Sequence, residues 1–282
     1  MKKITICLFF IFLLNLCYPY NICSGNEFDN NVRVYEKNSF FLSPIIYMKE
    51  KLLELILKDY IKKNTGIDTE VSITLDKDSS DKIYYVNNLT VTSSKPQYSC
   101  FQLTDVKLNS INARNEIRRN DKELLFPYEV PLWFSAKITN ENLEFLTTSD
   151  EFKSLLAQAL ASYSKYIHIN DISVQVVNDK IRIFVFAKLP LIFGMNVKIT
   201  VYPVITVHDG QLYLEKIHYD KTATNYLNKI LPSFSSPQPL SNYITALQNV
   251  GVPYKISNFS IDNNEIYFDG IFIIPANCDI TE

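Results

Sequence analysis

The side chains best suited to acid–base or metal chemistry near neutral pH are three histidines, His168, His208 and His218. No two of them stand at metal-ligand spacing, and no cysteine pair joins them in a zinc pattern. His208 falls in the turn signal Val207-His208-Asp209-Gly210 and His218 at the far end of the strand that follows, so a hairpin would hold them apart. Six glycines in 282 residues leave little material for a phosphate-cradling loop, and none is present. No serine or cysteine sits in a nucleophile elbow or beside a recognisable base partner. The expectation is a protein with no catalytic residues, no metal and no cofactor; a hydrolase acting on lipids or envelope polymers is the least favoured reading.

What the chain does concentrate is apolar surface. Residues 183–195 read Ile-Phe-Val-Phe-Ala-Lys-Leu-Pro-Leu-Ile-Phe-Gly-Met, apolar at both alternations of the strand period. A strand with one wet face alternates apolar and polar, because successive side chains point to opposite faces. Both faces of this one must therefore meet something apolar: one can be covered by the helix expected just before it, and the other needs a second layer, a partner or a lipid. A second such run, Ile271-Phe272-Ile273-Ile274, closes the chain's last hairpin.

The elements that position these runs follow from periodicity. Apolar residues at helical spacing predict a helix from Ser43-Pro44 to about Lys63, stopped by Asn64-Thr65-Gly66. Packing on a sheet is its expected role, against the alternative of lying on a membrane. Strands are expected over 70–75, 82–93 and 98–111, and 112–123, with Arg114, Arg118, Arg119 and Lys122 among acidic residues, reads as a solvated loop or short helix. An extended segment over 129–138 leads into a helical turn at 140–146, and Ser149-Asp150-Glu151 signals a second helix over 152–165. Hairpins follow: 169–176 with 181–188 and 197–206 with 211–218, then short helices over 222–231 and 240–250 around a Pro/Ser loop at 232–239, then 253–261 with 265–274.

The first 25 residues stand apart. Lys2 and Lys3 precede an apolar run from Ile4 to Leu16, and Cys23-Ser24-Gly25 supplies small residues, the layout of a secretory signal. An uncleaved anchor is the alternative, although the run is shorter than the roughly 20 residues of a spanning helix. Residues 26–42 read as a flexible leader and 43–282 as one domain. Loss of Lys2 and Lys3 takes the 28 basic residues to 26 against all 30 acidic ones, a net charge of −4. That excludes an ordinary nucleic-acid binder, which needs excess positive charge. Cys100 and Cys278 remain; in an oxidising compartment they are candidates for a disulfide, and two unpaired thiols is the other reading.

The segment Pro131-Leu132-Trp133-Phe134-Ser135-Ala136-Lys137-Ile138-Thr139-Asn140-Glu141-Asn142-Leu143-Glu144-Phe145-Leu146, the helix opening Ser149-Asp150-Glu151-Phe152 and the hairpins behind them resemble the LmeA-like phospholipid-binding proteins. The leading helix and the turn Asp209-Gly210-Gln211-Leu212 extend the resemblance over 43–275. The chain departs from the family pattern at Asn178-Asp179-Lys180, where a glycine-rich turn would stand. The resemblance implies an exported protein of the periplasm or cell envelope, with phospholipid as ligand, a membrane surface nearby and no nucleic acid. It implies an α+β fold, a curved antiparallel sheet of hairpins wrapped around amphipathic helices with an apolar lipid groove. Groove candidates are Trp133, Phe134, Phe184, Phe186, Leu191, Ile192, Phe193, Met195, Phe272 and Ile274. Only one alternation of each strand can face lipid, so about half of these belong to the core. A scaffold that buries its apolar strands against a protein partner is the competing expectation.

Overall fold

The computed structural model describes residues 44–98, 101–112, 114–120, 123–154, 168–189, 195–219, 237–239, 254–274, 276 and 278–281. The expected signal (1–25), leader (26–42) and helices over 222–231 and 240–250 lie outside them, as does the second helix beyond residue 154.

Helix α1 (Pro44–Thr65) forms where the periodicity predicts it. Pro44 occupies the first turn, where its missing N–H is not needed. Gly66 ends the helix at φ +71°, its N–H donating to the Lys62 carbonyl at 2.8 Å, the left-handed cap that glycine adopts without strain. One side of α1 buries Leu53 and Leu57. The same side presents two carboxylates to the edge of β1 (Glu70–Leu75). The Leu75 N–H donates to Glu50 Oε1 at 2.8 Å and the Ile73 N–H to Glu54 Oε1 at 3.0 Å. Strand residues two apart point their N–H groups to the same edge, and helix residues four apart share a face, so the two spacings match.

Strand β2 (Ile83–Ser93) pairs β1 antiparallel on one side. A two-residue ribbon, β3 (Gln97–Tyr98) with β4 (Phe101–Gln102), precedes β5 (Thr104–Ser110). Next come β6 (Asn115–Asn120), β7 (Glu123–Phe126) and β8 (Val130–Ile138). The loop or short helix expected over 112–123 is therefore corrected. Pairing with β2 makes a strand of β6, burying Ile117 and Asn115 between its charged residues.

Helix α2 (Asn140–Thr148) opens with a capping box: Thr139 and Asn142 exchange hydrogen bonds between side chain and backbone. The meander of β9 (His168–Val177), β10 (Lys180–Leu189), β11 (Met195–His208) and β12 (Gln211–Tyr219) follows. Strand β13 (Gln238–Pro239) pairs β12 where the end of a loop was expected. The chain closes with β14 (Tyr254–Asp262), β15 (Glu265–Ile274) and β16 (Cys278–Thr281). Three hairpin turns place both central residues at positive φ: Asn178 with Asp179, Asp209 with Gly210, and Asn263 with Asn264. Their twist matches that of the flanking strands.

Among the described residues the long strands divide into two sheets rather than one. The larger runs β14-β15-β8-β5-β2-β6-β7-β16 with β1 on the other side of β2, and the smaller runs β13-β12-β11-β10-β9. The two share a core: Ala136, Ile138, Ile256 and Ile266 of the larger sheet pack with Val174, Ile183, Val185, Val201 and Leu214 of the smaller, and Leu143 and Leu146 of α2 join them. A hydrogen bond from the Ile256 N–H to the Gly210 carbonyl, 2.8 Å, ties the sheets together. A second core lies under α1, where Leu53 and Leu57 meet Ile73, Val86, Ile117, Phe126 and Leu132. The architecture is antiparallel-sheet-rich α+β.

Candidate functional site

Strand β10 answers the question its composition raised. Ile181, Ile183, Val185 and Ala187 are buried in the core between the sheets. The alternate residues, Arg182, Phe184 and Phe186, point to the opposite face and are half-buried, with Lys188 exposed at its end. Register sets Phe186 opposite Lys198 of β11 and Phe184 opposite Thr200. The Lys198 ammonium lies over both rings, 4.6 Å from the centre of Phe184 and 5.2 Å from that of Phe186, within the range of a cation–π contact. Thr200 is 8 % exposed, so the middle of this face is sheltered from bulk water.

One step along β10, the Arg182 guanidinium lies 5.7 Å from the centre of the Tyr202 ring, and its buried Nε has no hydrogen-bond partner among the described residues. A buried N–H without an acceptor is costly, by roughly 1–3 kcal/mol. The face thus combines two rings, a cation seated on them and a donor without an acceptor. Apolar rings beside cationic N–H donors can hold an amphiphile that carries an anion at the end of a hydrocarbon.

The other sequence candidates divide among different surfaces. Phe134 of β8 faces inward and sits opposite Gly270 of β15. Its ring lies 6.2 Å from Phe268 and 6.2 Å from Phe272, and a Cβ on Gly270 would come within 2.9 Å of its Cε1 atom. Phe268 escaped the sequence reading, because nothing in the linear spacing shows that it stands two residues from Phe134's partner. Phe272 and Ile274 pack against the core under α1, while Phe134 and Phe268 pack against the core between the sheets. This aromatic cluster therefore bridges the two cores. Trp133 points away from Phe134, opposite Ile271, and is half-buried. Leu191, Ile192 and Phe193 lie outside the described residues, as does the side chain of Met195, where β11 begins. Cys100 also lies outside them; Cys278 opens β16 opposite Phe126, its side chain outside the described set.

The histidines occupy separate places. His168 and His208 stand at strand ends, and His208 meets the edge of Tyr213 at 5.4 Å between ring centres. His218 is opposite Tyr202 on β12. Among the described residues no three His, Cys, Asp or Glu side chains gather as metal ligands, and no helix is long and apolar enough to cross a membrane. Burial pushes the Tyr219 phenol above its ordinary range. The Tyr267 phenol is raised by its hydrogen bond to Glu265, and Lys137 by its hydrogen bond to Asp105.

Set beside known proteins, the chain matches no protein family, no curated protein and no solved structure.

Proposed function

We propose that this is an exported, non-enzymatic envelope protein that binds phospholipid, as its resemblance to the LmeA-like proteins implies. The face of β10 and β11 carries the reading. Phe184 and Phe186 offer an apolar bed turned away from the core, Lys198 sits on both rings, and Arg182 holds a buried N–H without an acceptor among the described residues. An acyl chain laid on the rings contributes about 0.8 kcal/mol for each methylene withdrawn from water. A phosphodiester beside Lys198 and Arg182 replaces a weak ring contact with charge-assisted hydrogen bonds. The signal-like start of the chain supports a setting where such lipids are at hand.

The test is lipid extraction from protein purified without detergent. Co-purified phospholipid that is lost in Lys198→Glu and Phe186→Asp, with folding kept, supports the proposal. Protein that is folded, empty and unable to take lipid from vesicles overturns it and leaves the scaffold reading.

A further inference from the structure

Helix α1 is apolar on two sides, and among the described residues only one of them is packed against the rest of the fold. Leu53 and Leu57 face the core, whereas Ile45, Met48, Leu52 and Leu55 are 65 %, 71 %, 42 % and 65 % exposed. The exposed four are spaced three, four and three residues apart, which places them in one stripe along the helix, about 15 Å long. Tyr47, also exposed at 52 %, lies beside it with Lys51 over its ring at 5.6 Å.

Charge on the helix is sorted around this stripe. Glu50 is 5 % exposed and the Glu54 side chain 13 %, because both carboxylates are turned to the edge of β1. Lys51 and Lys58 follow one border of the stripe and Lys63 the other, while the Lys49 ammonium is turned to the loop after β1, pairing with Asp81 and donating to the Ser79 carbonyl at 3.2 Å. Asp59 is the one acidic residue of α1 not directed at that edge. Ion pairs hold four of the lysines: Lys49 with Asp81 at 3.0 Å, Lys51 with Glu54 at 2.6 Å, Lys62 with Asp68 at 2.8 Å and Lys63 with Asp59 at 3.3 Å. Lys51, Lys62 and Lys63 are more than half exposed, and such surface pairs exchange readily for another anion.

We propose that the outward face of α1 docks on an anionic lipid surface. A second copy of the chain is a poor occupant. If Ile45, Met48, Leu52 and Leu55 formed a helix–helix seam, an antiparallel pair with the stripes aligned would set Lys51 against Lys51 of the other copy, and a parallel pair would set Lys58 against Lys63. Like charges set against each other beside the seam oppose self-pairing and favour an anionic plane. The stripe also spans fewer than two heptads before Asp59, short for a stable helix pair but sufficient for side chains that enter the headgroup boundary. Tyr47 suits that boundary, with an apolar ring and a polar tip.

This docking does not depend on lipid held at β10, and the two can fail separately. The experiment is flotation of the exported chain with vesicles of phosphatidylcholine containing phosphatidylglycerol, and with phosphatidylcholine alone. The wild-type chain is expected to float with the anionic vesicles and to be released by salt. Met48→Glu with Leu55→Glu, at positions exposed enough to spare the fold, is expected to lower that binding at least ~tenfold. Lys51→Glu with Lys58→Glu should lower it similarly for anionic vesicles only. Phe186→Asp should leave flotation unchanged while removing any co-purified lipid. Equal flotation of wild type and both α1 variants overturns the proposal, as does a wild-type oligomer that dissociates in Met48→Glu with Leu55→Glu.

Discussion

Glu50 and Leu75 are joined by a 2.8 Å hydrogen bond from the strand N–H to the helix carboxylate, and both residues are buried. A sheet edge normally leaves such N–H groups open to pairing with another chain. Here α1 supplies acceptors at the spacing the strand demands. Glu50→Ala is expected to destabilise the protein by about 2 kcal/mol, because it strands a buried donor. Glu50→Gln, which keeps an acceptor oxygen, should cost less than half of that. Urea denaturation of the two variants checks the ordering, and size-exclusion chromatography should detect association through β1 in Glu50→Ala alone.

Asn142 joins α2 to the strands before it. Its Oδ1 accepts from the Thr139 N–H at 2.8 Å and from Thr104 Oγ1 at 3.0 Å, and its Nδ2 donates to Gln102 Oε1 at 3.1 Å. The residue is 2 % exposed, so water cannot readily replace these bonds. Asn142→Ala should cost about 2–3 kcal/mol, and Asn142→Asp should also destabilise, since a carboxylate cannot donate to Gln102. Thermal unfolding of both variants tests this.

Two glycines make opposite predictions. A Cβ on Gly270 would lie 2.2 Å from the Lys255 carbonyl oxygen, a backbone atom of the paired strand, whereas one on Gly66 would meet nothing within 4 Å. Gly270→Ala must push β14 from β15 and is expected to cost about 3 kcal/mol. Gly66→Ala carries only the strain of its φ of +71°, about 1 kcal/mol. Equal losses in chemical denaturation would refute the packing account of Gly270.

Tyr219 gives a pH signature. Burial raises its pKa above the ordinary 10.0, so the unfolded chain releases this proton before the folded one does. The group's contribution to stability is therefore intact below pH 10.0 and lost as pH rises through the raised value. Tyr219→Phe should show a shallower fall in melting temperature over that alkaline range than the wild type, with parallel curves at neutral pH.

Much of this fold is legible in the sequence because local chemistry dictates it. Asn178-Asp179, Asp209-Gly210 and Asn263-Asn264 tolerate the positive φ that a tight hairpin needs, so their turns can be placed by residue type. Gly66 likewise marks the end of α1. Strand β6 could not be read this way: Ile117 is its one apolar residue, and its strand character comes from pairing with β2 some thirty positions earlier. Strand β16 has the same origin in its pairing with β7. Periodicity showed that β10 is apolar on both sides but not that Lys198 would cap the outer rings. That contact arises from the register of β10 with β11. Nor could spacing join Phe134 with Phe268 and Phe272, which meet only across paired strands.

The central claim, that the outer face of β10 holds a phospholipid, is tested most directly by native mass spectrometry of the chain purified without detergent. The account predicts a mass increment of one phospholipid per chain, retained in Met48→Glu with Leu55→Glu and absent in Phe186→Asp and Lys198→Glu while all four proteins remain folded. A folded wild-type chain at its bare mass, still bare after incubation with phospholipid vesicles, would contradict it.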